Sequence, residues 1–332
     1  MAYLVLENGM AFEGKRIGAS GDAAGEMVFT TGVVGYVETL TDPANAGLIV
    51  MQTFPVIGNY GVAAEDAESA YTPAGYVVRS LCDTPSNFRS GGSLEGFLAA
   101  KGIPGICGVD TRRLTAVLRQ EGAMKAAIVD DPARAAFETK PVMLIPCANT
   151  CFPAAQEKKT VLLWDIGAKR SLIAAMNARG WTVKRVPFGE TTGEPADAVV
   201  IAGGPEGAAV PGEALAAVKA LLGRMPVLAV GLGHVLAAQA LGGSVEKMHI
   251  GHRGQNQPVF CTLDGRTYTT SQNHCLCVAA DSLAPCGEMI YKNLNDGSCE
   301  GLLYPGLRCL SVQFDPDEGV FSQFETLMGG EK

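Results

Sequence analysis

Apolar and polar positions follow two different rhythms along this chain. Through about its first 135 positions, short apolar bursts are closed by turn residues: 3–7 before Asn8-Gly9, 26–30 before Gly32, and 48–53 before Pro55. Bursts of that length with such punctuation predict short strands. One helix is predicted over 110–121, with Asp110 or Thr111 as its N-cap and Gly122 as its stop. Strands with a single good helix predict an α+β N-terminal domain.

From Thr160 the rhythm changes to strand alternating with helix. Strands are predicted at 160–164, 181–186, 198–201 and 226–230. Helices are predicted at 169–179 before Gly180, at 211–222, and at 234–241 before Gly242-Gly243. Continuous apolar strands between helices predict a mostly parallel sheet covered on both faces. Beyond Pro258 the strands are expected to shorten and mix, and a last helix is expected near 318–328. Residues 136–159 fit no periodic element and hold Pro141, Pro146, Pro153 and the charged run Glu157-Lys158-Lys159. The expected organisation is therefore α/β, with domains at 1–138 and 159–330 and a linker at 139–158.

Composition narrows the function classes. A net charge of −8 without any basic block argues against nucleic-acid or anionic-membrane partners. The first residues lack a basic lead-in and a long apolar run, and no window reaches the ~18–20 apolar residues of a membrane span. Cys107, Cys261 and Cys309 fall inside apolar runs, where a free thiol acts as a small core hydrophobe. Cys147/Cys151 and Cys275/Cys277 lack zinc-site spacing, so no metal is expected. No phosphate-binding Gly-x-x-x-x-Gly-Lys-Ser/Thr run occurs, so no nucleotide cofactor is expected in this chain. A cytoplasmic location follows as the expectation.

In an open α/β sheet, ligands sit at the carboxyl ends of the strands. Two glycine-rich strand ends stand out: Ala202-Gly203-Gly204-Pro205 and Gly231-Leu232-Gly233-His234. The second reads as strand, tight turn and helix, the geometry of a nucleophile elbow. The elbow position is nevertheless Gly231, which has no nucleophile. Taken alone, this motif reads as an ordinary turn at a helix N-terminus.

The neighbouring residues carry a family resemblance. Asp165-Ile166-Gly167-Ala168-Lys169, Gly204-Pro205, Ala229-Val230-Gly231-Leu232-Gly233-His234-Val235, Gly251-His252-Arg253-Gly254-Gln255-Asn256-Gln257-Pro258 and Gln272-Asn273-His274 resemble motifs of class I glutamine amidotransferase domains. Gly25-Glu26-Met27-Val28-Phe29-Thr30-Thr31-Gly32, Gly35-Tyr36, Leu40-Thr41-Asp42-Pro43, Pro55-Val56-Ile57-Gly58-Asn59, Ser86-Asn87-Phe88-Arg89 and Asp110-Thr111-Arg112-Arg113-Leu114-Thr115 resemble the N-terminal domain of the small subunit of carbamoyl-phosphate synthase. That resemblance implies a role in pyrimidine and arginine precursor synthesis and a large-subunit partner, which would supply the phosphorylation chemistry.

The resemblance also shows departures. In the family a Cys attacks the glutamine amide, a His relays protons and a Glu orients the His. The matching positions are Gly231, Asp315 and Asp317. A carboxylate is ionised far below the range in which imidazole takes and returns protons near neutral pH. Substrate-binding positions of the family map to Ala44, Gly204, Glu206, Leu232, Val235, Asn273, Cys275 and Leu276. Ala44 stands where the family has Ser, Glu206 where it has Gly, Val235 where it has Gln, and Cys275-Leu276 where it has Gly-Phe. Each lost polar partner costs a polar substrate ~1–3 kcal/mol.

Three readings follow. The chain is a structural or regulatory small subunit beside an ammonia-using large subunit, for which the family offers precedent. Alternatively it is a stand-alone binding protein that reuses the old pocket, or a residual glutaminase with a relocated nucleophile such as Cys275. Adjacent His274 and Cys275 point to opposite faces of a strand, which disfavours the last. His252 is read as part of a structural turn, and His234 as a helix-start residue.

Overall fold

Short strands closed by glycine turns cannot each bury a face alone. In the first part of the chain they solve this by closing on themselves. The computed structural model describes residues 1–190, 195–208, 212–282 and 287–329. The chain divides into one unit of 1–142 with 249–254, and a second of 143–248 with 255–332.

The first unit holds β1 (Ala2–Leu6), β2 (Ala11–Gly18), β3 (Ala23–Thr30), α1 (Tyr36–Thr41), β4 (Ile49–Ile57), β5 (Gly75–Leu81), α2 (Leu94–Ala100), β6 (Pro104–Cys107), α3 (Thr111–Glu121) and β7 (Met124–Val129). The strands close a barrel in the order β1-β2-β6-β5-β4-β3-β7, with β3, β4, β5 and β6 mutually parallel. Closure removes open edges. Leu4, Leu6, Met27, Ile49, Met51, Val77 and Ile106 pack with Leu114 and Leu118 of α3. As expected, Asp110 caps α3: its Oδ1 accepts from Arg113 N at 3.1 Å, and Gly122 ends the helix at φ 88°. The strand expected to stop before Pro55 instead continues to Ile57. Its pairing with β5 shifts between Gln52 and Val56, which accommodates the N–H that proline lacks.

The second unit holds β8 (Thr150–Phe152), β9 (Lys159–Asp165), α4 (Arg170–Ala178), β10 (Trp181–Pro187), β11 (Ala198–Gly203), α5 (Ala214–Leu221), β12 (Val227–Gly231), α6 (Leu232–Ala240), β13 (Val245–Cys261), β14 (Arg266–Val278), β15 (Glu288–Asn293), β16 (Cys299–Tyr304), β17 (Cys309–Val312) and α7 (Glu318–Leu327). The sheet order is β14-β13-β15-β16-β17-β12-β11-β9-β10-β8. Its centre, from β17 through β12, β11 and β9 to β10, is parallel. Alternate residues of each central strand enter different cores. Val161, Leu163, Val200 and Leu228 pack with Ile173, Met176, Phe321 and Phe324 of α4 and α7. Leu162, Trp164, Val199, Ile201 and Val227 pack with Val218, Val235 and Leu236 of α5 and α6. That is the signature of a sheet covered on both faces.

Several expectations need correcting. Strands do not shorten until after β13 and β14, which run 17 and 13 residues. Gly251, Gly254 and Pro258 all lie inside β13. His252 accordingly lies in a strand rather than a turn. The stretch 249–254 belongs to the first unit, where Ala123 N donates to His249 O at 3.1 Å. Within the span read as linker, Thr150–Phe152 forms an antiparallel edge strand on β10. The helix expected from 211 is described from Ala214, and Pro211 lies outside the described residues. The helix expected from His234 begins at Leu232.

Candidate functional site

The central strands of the second unit end on glycine turns, and these set the site. Gly231 ends β12 and caps α6 with φ 60° and ψ −119°, a conformation that L side chains rarely adopt. The turn is therefore sharp, and its residue carries no side-chain nucleophile. A Cβ at Gly231 would meet only Gly203 O at 3.4 Å, so the position is not glycine for want of room. Gly233 is different: a Cβ there would lie 2.3 Å from Ile201 O, so close packing of α6 on β11 demands glycine.

Leu232 and Val235 are both buried, in the apolar cluster between α6 and the sheet. His234 is fully buried, with Nδ1 2.8 Å from Ser311 Oγ. Burial pushes its pKa down to about 4, so the ring is neutral near pH 7. It is a packed core histidine rather than only a helix-start residue.

Beyond β11 the chain turns through Gly203 and Gly204, both at φ 101°. Gly204 N donates to Gly167 O at 3.3 Å, which turns this N–H toward the neighbouring loop. That loop is ordered by Asp165, whose Oδ1 accepts from Gly167 N and Ala168 N, each at 2.7 Å. The next residue, Lys169, reaches Asp315: Nζ donates to Oδ1 at 2.8 Å and to Oδ2 at 3.0 Å. Asp315 N donates to Ser271 O at 3.0 Å. Asp315 thus presents a carboxylate clamped by an ammonium. Asp317 is the N-cap of α7, its Oδ1 accepting from Val320 N at 3.0 Å. That contact explains an aspartate there without any catalytic role.

The Glu206 carboxylate is held by hydrogen bonds from two segments. Its Oε2 accepts from Cys275 N at 2.5 Å and Leu276 N at 3.2 Å, and its Oε1 accepts from Gln313 Nε2 at 2.9 Å. Cys275 and Leu276 lie on β14. The ring of the adjacent His274 turns away to Leu276 O, Gln272 and Glu300. Asn273 Oδ1 is buried and accepts no hydrogen bond among the described residues. Ala44 belongs to the first unit, in the single turn Pro43–Asn45, where its N–H donates to Asp42 Oδ1 at 2.9 Å.

Sequence reasoning missed Lys169 and Gln313 as site residues. Lys169 stands inside a quoted motif, but nothing in the sequence signals its pairing with a residue 146 positions away. Gln313 carries no motif signal; it follows β17 and is 4% exposed.

Comparison with known proteins agrees with this architecture. A family model described as the carbamoyl-phosphate synthase small chain, CPSase domain, matches residues 4–128, and one described as glutamine amidotransferase class-I matches 162–323. The carbamoyl phosphate synthase small chain of Clostridium perfringens is 39% identical, over 97% of this chain and 98% of the relative. The carbamoyl phosphate synthase pyrimidine-specific small chain of Bacillus subtilis is 37% identical, over 95% and 90%. The Methanosarcina mazei small chain is 37% identical, over 99% and 97%. Among the described residues no helix is long and apolar enough to cross a membrane.

Proposed function

Because this chain belongs to the carbamoyl-phosphate synthase small-chain family, we propose that it acts as a small chain that does not hydrolyse glutamine. Its role on this reading is structural or regulatory, beside a large chain that uses free ammonia. The observation that carries the proposal is the elbow at Gly231, kept in backbone shape and empty of a nucleophile. Amide hydrolysis through a covalent acyl intermediate needs an attacking atom there and a base to take its proton. Gly231 supplies no atom, and the Asp315 carboxylate is engaged by Lys169. Loss of one member of such a set is already severe, because the members act as a unit.

That the relatives are small chains of a synthase supports a large-chain partner. The folded barrel of the first unit, kept whole while the site changed, supports retention of that assembly. Nucleotide chemistry and any cofactor then belong to the large chain, and the pathway is pyrimidine or arginine precursor synthesis in the cytoplasm.

The reading is tested by carbamoyl-phosphate synthesis with the cognate large chain, comparing ammonium chloride and glutamine as nitrogen donors. Adding this chain should raise the ammonium-dependent rate above that of the large chain alone. Failure to bind or stimulate the large chain would favour a stand-alone binding protein instead.

A further inference from the structure

The contacts of Glu206 have the form of a bound ligand rather than of a loop side chain. In a regular strand, consecutive N–H groups point to opposite edges. At Cys275 and Leu276 they converge on one oxygen, Glu206 Oε2. Consecutive N–H groups aimed at one point make an anion seat. The seat is held from behind. His274 Nδ1–H donates to Leu276 O at 3.0 Å, and Gln313 N donates to Glu300 O at 2.9 Å. Gln313 then presents its Nε2 to the second carboxylate oxygen, while its Oε1 accepts nothing among the described residues. Three donors on two oxygens of one carboxylate form the charge-assisted pattern by which a free carboxylate is held.

We propose that Glu206 is a tethered ligand, its carboxylate occupying a carboxylate-binding seat formed by Cys275 N–H, Leu276 N–H and the Gln313 amide, and closing that seat to free carboxylates. The seat itself stands on these contacts. That the excluded ligand includes the α-carboxylate of an amino acid rests on the proposed reading of the site as a former amidotransferase cleft. Glutamine would then be shut out by an occupied seat as well as left without a nucleophile. These donors are part-buried, and a donor shielded from water and stripped of its partner is costly, so removing the Glu206 carboxylate should create an affinity for an external one.

The variant Glu206→Ala deletes Cγ and the carboxylate, which are the atoms of acetate. Wild type and variant are titrated with sodium acetate, with sodium chloride at matched ionic strength as control. The amide signals of Cys275, Leu276 and the Gln313 side chain are followed by NMR. The variant should show saturable shifts at all three groups, with an affinity about tenfold or more above any response of the wild type. Equal responses in the two proteins, or no movement in the variant, would overturn the proposal. If the variant does not fold, the wild type decides. Slow hydrogen exchange at the 275 and 276 amides, with signals indifferent to acetate, supports the tether; fast exchange or acetate-dependent shifts overturn it. Glutamine turnover enters none of these readings, so hydrolysis by the wild type would sink the functional proposal without touching the seat.

Discussion

At Gly231 the obstacle to placing a side chain is backbone conformation, not volume. Gly231→Cys should fold, at a cost of roughly 1–3 kcal/mol for a side chain held at this φ and ψ, read from the denaturant midpoint. It should release no more glutamate than the wild type, because Asp315 and Glu206 remain. Measurable release by that single variant would contradict the account of the site. The Lys169–Asp315 pair is a smaller matter. The Asp315 side chain is 44% exposed, so solvent weakens the attraction. Lys169→Met should cost no more than about 1 kcal/mol in denaturant and leave ammonium-dependent synthesis unchanged. Much of this site was legible as positions: Gly231, Glu206, Cys275 and Leu276 all carry motif neighbours. What each residue does instead was not legible. Asp317 as a helix cap, Asp315 as an ion-pair partner and Glu206 as the occupant of two backbone donors depend on residues far apart in sequence.

At the scale of elements, the helices of the second unit are set by their ends. Asp317→Ala removes the cap of α7 and should destabilise the chain by about 1 kcal/mol. Gly233→Ala drives a Cβ against the β11 carbonyl of Ile201, which cannot swing aside, and should cost about 1–3 kcal/mol. Urea midpoints of both variants against wild type check the two values. Periodicity located the central strands because burial on both faces makes them continuously apolar, as in Thr-Val-Leu-Leu-Trp at 160–164. It failed at β13, where glycines and Pro258 interrupt a strand whose pairing is set by distant partners. It also missed α2, a helix of seven residues whose Ser93 cap follows Gly91-Gly92. The barrel was invisible as a barrel: short strands announce themselves locally, but closure and the parallel pairing of β3 through β6 do not.

For the molecule as a whole, His234 ties stability to acidity. Its pKa is about 4 when buried, against 6.5 for the free side chain. The unfolded chain therefore binds this proton more readily, and the neutral ring contributes stability that is fully present above pH 6.5. That contribution should drain away as pH falls from 6.5 towards 4, amounting to about 3 kcal/mol at the acid end. Urea unfolding across that window, compared with His234→Gln, isolates it, because the variant should lose that part of the slope. Family membership and overall architecture were readable from motifs spread through both halves, whereas activity turns on atoms at the ends of a few strands. The most direct test of the central claim is glutamate release from labelled glutamine, by this chain alone and in complex with its large chain. The account predicts release no faster than the large chain gives by itself, in both cases. Release above that level, abolished by Cys275→Ser or by any other single substitution in the cleft, would mean that a nucleophile has been re-sited and the claim is wrong.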